Sequence, residues 1–99
     1  MYGTIARLLL KPGMREQYLA LAREIETRAI PGWVAEYLYQ SDANPDELFM
    51  AVVFASEEAY RQNAASPEMD AAYQRMRAML AADPEWHDGA VVYAKPHGS

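Results

Sequence analysis

Ninety-nine residues with 52 % hydrophobic and 11 % aromatic content exclude a disordered chain and suffice for one domain, since a chain of this size buries roughly 60 to 70 % of its unfolded surface. Nine Lys and Arg against fourteen Asp and Glu leave a net charge of −5, and the basic residues are dispersed, which excludes a nucleic-acid backbone or an anionic membrane as partner. The absence of cysteine excludes disulfides, thiolate metal sites and a cysteine nucleophile, and is compatible with a reducing cytoplasm, the expected location.

Met1 to Thr4 carries no basic leader, and no apolar run approaches the ~18 residues of a spanning helix. Neither a signal peptide nor a membrane span is expected. Tyr2 to Leu10 (YGTIARLLL) reads as a first strand, ended by the turn Lys11-Pro12-Gly13. Met14 to Arg28 then places Tyr18, Leu21, Ala22, Ile25 and Ala29 on one apolar stripe, the spacing of an amphipathic helix that covers a sheet. Ile30-Pro31-Gly32 stops it, because Pro31 disfavours helical geometry at Ile30. Trp33 to Gln40 (WVAEYLYQ) alternates as a strand, and Ser41 to Asp46 is a loop rich in turn formers.

Leu48 to Phe54 is an unbroken run of seven apolar residues, too short for a globular helix and apolar on both faces, as a central strand covered on both sides would be. It passes through Ala55 into a helix that Ser56 caps, with Glu57 and Glu58 at the positive end of its dipole. Ser66-Pro67 marks a break and a restart, with Ser66 as the second N-cap and Pro67 in the first turn. Met69, Ala72, Tyr73, Met76 and Leu80 form the stripe of that helix, which the sequence predicts to run to about Ala82 before Asp83-Pro84 ends it. Ala90 to Lys95 (AVVYAK) is the expected last strand, and residues 96–99 the expected loose tail.

The order β-α-β-β-α-β, with its second helix broken, predicts a single α+β domain over residues 1–99 with its core in residues 2–95. Two right-handed crossovers and a hairpin place the first and third strands in the middle of a four-stranded antiparallel sheet, with the helices on one face. Taking every second position, the uncovered face is expected to carry Ile5, Arg7, Leu9, Val34, Glu36, Leu38, Phe49, Ala51 and Val53. Such a face calls for a second copy of the chain against it, a homodimer in which Arg7 and Glu36 pair.

The helix-side face is expected to carry Tyr2, Thr4, Ala6, Trp33, Ala35, Tyr37, Met50, Val52 and Phe54, roofed by Tyr60, Asn63, Tyr73 and Met76. Aromatic rings and methionines with a few hydroxyls and an amide suit a flat, apolar, polycyclic ligand bearing hydroxyl or carbonyl groups. An ordinary packed core is the alternative, as is a helix-end role for Asn63. There is no glycine-rich phosphate loop, nucleophile elbow or Cys/His cluster. His87 is expected in a loop and His97 in the tail, both solvated. No metal site and no cofactor is expected.

The strand order, the turn Pro31-Gly32-Trp33 and the run SEEAYRQN followed by Ser66-Pro67 and a second helix resemble the antibiotic biosynthesis monooxygenase family of dimeric α/β barrels. The resemblance spans residues 2–95. It implies a ferredoxin-like protomer, a homodimer through the uncovered sheet faces and a pocket in each subunit between sheet and helices. Members of that family that oxidise polyketide anthrones without metal or organic cofactor carry an Asn and a Trp on the third strand and a Tyr at the start of the next helix. Here Met50, Phe54 and Tyr60 stand at those positions. Haem-degrading members use an Asn on the first strand, a Trp in the second helical region and an iron-ligating His. Ala6, Asn63 and Tyr73 occupy those places.

The implied reaction is oxygenation of an electron-rich phenol, quinol or anthrone by O₂, for which the protein must hold the substrate anion in a dry pocket. Tyr60 would hydrogen-bond the substrate or accept its proton. Asn63, Tyr37 and Tyr73 would position its oxygens, with Trp33 and Phe54 as aromatic walls beside Met50 and Met76. The alternatives are a non-catalytic dimeric barrel that binds a small apolar metabolite, and a haem-handling protein.

Overall fold

The computed structural model describes residues 1–95. Its elements follow the order β1 (Tyr2–Leu9), α1 (Arg15–Glu26), β2 (Trp33–Gln40), β3 (Glu47–Phe54), α2 (Glu57–Ala64), α3 (Pro67–Ala78) and β4 (Glu85–Ala90). The four strands make one antiparallel sheet in the order β2-β3-β1-β4, the ferredoxin-like arrangement. The sheet is open and does not close into a barrel within one chain. Among the described residues no helix is long and apolar enough to cross a membrane.

Both serine caps form as the sequence predicts. Ser56 accepts from the Ala59 backbone N–H at 3.1 Å and Ser66 from that of Met69 at 3.1 Å, with Pro67 in the first turn of α3. Each cap satisfies an otherwise unpaired helical donor and stabilises its helix by about 1 kcal/mol. The two caps lie ten residues apart in sequence, so α2 is short and α3 starts in a new direction. This leaves room over the sheet that a single straight helix would fill.

The core is densest at one end, where Leu8, Leu10 and Leu80 are fully buried beside Leu21, Leu48 and Ala6. Leu80 sits there from outside a helix: α3 ends at Ala78, with Met79 as its C-cap, and Leu80 bridges to Leu10. The stripe that the sequence predicts as helix to Ala82 is thus completed by an extended residue.

The last strand lies five residues earlier than the expected Ala90 to Lys95. Glu85–Ala90 pairs with β1, from Ala90 opposite Tyr2 to Glu85 opposite Arg7, while Val92 and Tyr93 stand outside the sheet, 96 % and 78 % exposed. A polar edge strand has a weak apolar signature, and AVVYAK carried the stronger one. His87 accordingly lies on β4, not in a loop. The expected tail, with His97, lies outside the described residues.

One irregularity in β2 changes which side chains face the helices. Trp33 stands opposite Phe54, but Ala35 stands opposite Val53, so Val34 is an extra residue in the ladder. Such a bulge inverts the alternation beyond it. Glu36, opposite Val52, and Leu38, opposite Met50, therefore point to the helix side, while Tyr37 and Tyr39 point away. The open face consists of Ile5, Val34, Tyr37 and Tyr39, all more than half exposed, with Phe49 stacked on Tyr39. The expected Arg7–Glu36 pair does not form, because the two residues lie on opposite faces. Arg7 binds Glu47 and Glu85 from the strands on either side of it.

Candidate functional site

A cavity of about 660 Å³ lies between the sheet and the helices. Its floor is the helix-side face of the sheet, with Thr4, Met50, Val52 and Phe54 from the central strands. Tyr18 and Ile25 of α1, Tyr60 and Asn63 of α2, and Tyr73 and Met76 of α3 supply the other walls. The turn before β2 sets one end. Gly32 has φ +77°, a geometry that favours glycine, and its carbonyl accepts from the Ala55 N–H at 2.7 Å. That bond fixes Trp33 at the rim beside Phe54.

Seven of the eight residues that the sequence singled out line this cavity: Trp33, Met50, Phe54, Tyr60, Asn63, Tyr73 and Met76. Tyr37 does not. The bulge at Val34 turns it onto the opposite face of the sheet, where it is 66 % exposed.

Tyr60 is held from three sides. Its ring packs edge-on against Tyr2 and Phe54, with centroids 5.3 and 5.7 Å away, and its hydroxyl donates to Asp88 Oδ1 at 2.9 Å. Burial and then the neighbouring Asp88 carboxylate push the phenol pKa up to about 12, because both disfavour a phenolate. The Thr4 hydroxyl lies close enough to oppose that shift slightly, without forming a well-shaped hydrogen bond. Tyr60 is therefore a neutral phenol whose proton points to Asp88 and whose oxygen retains a free lone pair.

Deeper in the cavity, Tyr18 is buried and donates to the Met76 sulfur at 3.2 Å. Burial pushes its pKa up, with the Glu36 charge adding to the effect. Glu36 itself is half-buried, and no hydrogen bond or ion pair to it forms among the described residues. Desolvation holds its carboxyl pKa above the ordinary range, and the charge of Glu26 on α1 raises it further. On the far wall, Trp86 of β4 and Tyr73 of α3 meet with ring centroids 6.5 Å apart.

Sequence reasoning missed Glu36, Asp88 and Trp86. For β4 a signal existed: in EWHDGA the residues Trp86, Asp88 and Ala90 alternate with Glu85, His87 and Gly89, a period of two that the more apolar run downstream overshadowed. For Glu36 there was none, because its orientation depends on the bulge.

The family described as Antibiotic biosynthesis monooxygenase matches residues 1–75 of this chain. No curated protein matches it. Among solved structures, a Chloroflexus aurantiacus protein provisionally described as an antibiotic biosynthesis monooxygenase is 26 % identical, with TM-score 0.79 and 98 % of each chain covered. A variant of SnoaB, a cofactor-independent oxygenase from Streptomyces nogalater, superposes with TM-score 0.82 over 97 % of each chain at 15 % identity. A Mycobacterium tuberculosis protein is 23 % identical with TM-score 0.78, covering 96 % of this chain and 98 % of its own. At 15 % and 23 % identity the last two likenesses show the fold alone.

Proposed function

The chain belongs to the antibiotic biosynthesis monooxygenase family, and on that premise we propose that it oxidises an electron-rich phenol, quinol or anthrone with O₂ in the cavity beneath α2 and α3, without metal or organic cofactor. The observation that carries this reading is Tyr60. It places a neutral hydroxyl, anchored on Asp88, in the wall of a cavity whose floor and much of whose lining are apolar or aromatic. SnoaB, with the same fold, is described as a cofactor-independent oxygenase.

For a ring-activated methylene the balance is R₂CH₂ + O₂ → R₂C=O + H₂O. The substrate loses a proton, and its anion passes an electron to O₂. The two radicals combine to a peroxide, which takes up a proton and loses water to leave the carbonyl. The protein's part is to orient the substrate, exclude bulk water and stabilise the anion. The Tyr60 oxygen accepts a hydrogen bond from a substrate hydroxyl, Asn63 and Tyr73 hold a second oxygen, and Trp33, Phe54 and Met50 enclose the rings.

The open sheet face supports a homodimer. Ile5, Val34, Tyr37, Tyr39 and Phe49 make an apolar band of the kind that marks an interaction surface, and a second copy facing it completes the dimeric α/β barrel. The lack of cysteine fits a cytoplasmic site of action. A second reading, a binder of an apolar metabolite, is favoured by the purely apolar Met50 and Phe54 in the floor.

Oxygen uptake by the purified protein with a panel of anthrones, naphthols and quinols decides between them. The oxygenase reading expects uptake above background that falls roughly tenfold or more in Tyr60→Phe, as loss of a positioned hydrogen-bonding group would produce. If no member of the panel is consumed, the oxygenase reading is wrong and the binder remains.

A further inference from the structure

The register of the sheet aligns four residues in one row across the cavity floor. Glu36 of β2 stands opposite Val52 of β3, Val52 opposite Thr4 of β1, and Thr4 opposite Asp88 of β4. All four line the cavity. The row begins and ends on a carboxylate, each contributed by an edge strand, and the three interstrand steps between them span roughly 14 Å. One end is already engaged, since Asp88 holds the Tyr60 hydroxyl. The other end is not: Glu36 has no hydrogen bond or ion pair among the described residues, although it is half-buried.

Glu36 keeps some contact with water, yet partial desolvation of an unpaired carboxylate is unfavourable, and an apolar side chain at this position would avoid that cost. A ligand hydroxyl supplies the missing donor. We propose that Glu36 is the acceptor for a second substrate hydroxyl, so that the cavity selects a flat aromatic diol whose hydroxyls lie on opposite edges, one on Tyr60 and the other on Glu36. This rests on the aromatic-substrate reading above and narrows it. A ligand lying along the row crosses Val52 and Thr4, of which only the unpartnered Thr4 hydroxyl makes a polar demand. The raised carboxyl pKa of Glu36 makes it a better proton acceptor towards a phenol than an ordinary glutamate, because the gap between the two acids narrows. In that transfer the phenol O–H breaks, the proton moves to a Glu36 carboxylate oxygen and the electron pair stays on the substrate oxygen.

The titratable groups shown to interact with Glu36 are Tyr18 and Glu26 from α1; Arg61 of α2, Asp70 and Tyr73 of α3, and Tyr60 and Asp88 at the far end of the row line the same cavity. No cationic side chain pairs with Glu36 among the described residues.

The test uses a naphthalenediol with one hydroxyl on each ring, on opposite edges, and its monomethyl ether. Binding is followed by quenching of tryptophan emission, because both tryptophans, Trp33 and Trp86, line the cavity. In the wild type the diol binds about three- to tenfold more tightly than the ether, the worth of one further hydrogen bond. In Glu36→Leu the ratio falls to about one, since the ether then places its remaining hydroxyl on Tyr60 with no loss. In Glu36→Gln, which keeps shape and an acceptor oxygen, a preference for the diol persists at reduced size, and its disappearance there would mean that the carboxylate and not the acceptor position sets it. A diol preference that is absent from the wild type, or unchanged in Glu36→Leu, overturns the proposal. The oxygenase reading fails separately: diol selectivity through Glu36 with no oxygen uptake from any quinol removes catalysis and keeps the site, whereas uptake with an unchanged binding ratio does the reverse.

Discussion

The Tyr60 hydroxyl donates to Asp88 Oδ1 at 2.9 Å and thereby joins the start of α2 to the edge strand β4. Because Asp88 is a secondary cause of the raised Tyr60 pKa, after burial, Asp88→Asn should return the Tyr60 ionisation part of the way from about 12 towards its ordinary 10.0. Alkaline difference spectra of wild type and Asp88→Asn, each against the same protein carrying Tyr60→Phe, isolate this one phenol. An unmoved midpoint would show that the Asp88 charge is not felt at Tyr60. The sign for stability follows. A folded-state pKa above the unfolded one contributes stability below pH 10.0, and that contribution is lost as pH rises through about 12.

Glu36 has the same sign at the acid end. Its carboxyl is raised by desolvation and by Glu26 from an ordinary 4.5, so the folded state favours the protonated form. That preference contributes stability below pH 4.5 and is lost as pH rises through the raised value. Glu36→Gln removes the charge and keeps the shape, so it should melt a few °C higher than wild type at neutral pH. The gain should vanish as pH falls to the ordinary glutamate range. Melting curves across that range check it, and a variant less stable than wild type at neutral pH would contradict the unpaired state of Glu36.

Gly32 meets two constraints at once. Its φ of +77° is strained for any L side chain, and a Cβ built on it would lie 2.6 Å from the Ala59 Cβ on α2. Gly32→Ala should destabilise the protein by about 1–3 kcal/mol and loosen the rim at Trp33. Denaturant unfolding gives the first effect and tryptophan emission the second.

Ile5 and Tyr39 stand 55 % and 56 % exposed on the face opposite the cavity. If two copies meet there, Ile5→Asp should convert a dimer to a monomer in analytical ultracentrifugation, because it places a charge in a desolvated contact. The same substitution at a free surface would leave the sedimentation coefficient unchanged.

Element types were legible where local chemistry alone decides them. Ser56, Ser66 and Pro67 announce helix starts at any site, and the seven-residue run ending at Phe54 reads as a strand, so the two central strands and the roof were placed correctly, although within the chain that strand is covered on one face only, with Phe49, Ala51 and Val53 partly exposed on the other. The edges were harder. β4 contains Glu85, His87, Asp88 and Gly89, residues of poor strand propensity that pair because β1 offers them a complete ladder. Strand alternation also fails as a guide once a bulge intervenes. The expected faces of β1 and β3 match the structure, whereas β2 matches only at Trp33 and Val34. Leu38 and Glu36 exchange places with Ala35 and Tyr37, and with them the site gains a carboxylate and loses a phenol.

The single extra residue in β2 is what keeps Glu36 in the cavity. Removing Val34 would restore unbroken pairing from Trp33 onward and leave Ala35 opposite Val53 and Glu36 opposite Val52, so the deletion would preserve the lining. Pairing Val34 itself with Val53, without a bulge, would instead move every later residue of this edge strand by one place, put Glu36 opposite Ala51 on the open face and bring Tyr37 in opposite Met50, exchanging an anionic lining group for a neutral one. Relatives of equal length that lack the bulge would thus differ in ligand preference while every other wall residue stayed the same. For this fold, the register of the segment between Gly32 and Gln40 is as informative about the ligand as the identity of the residues in it.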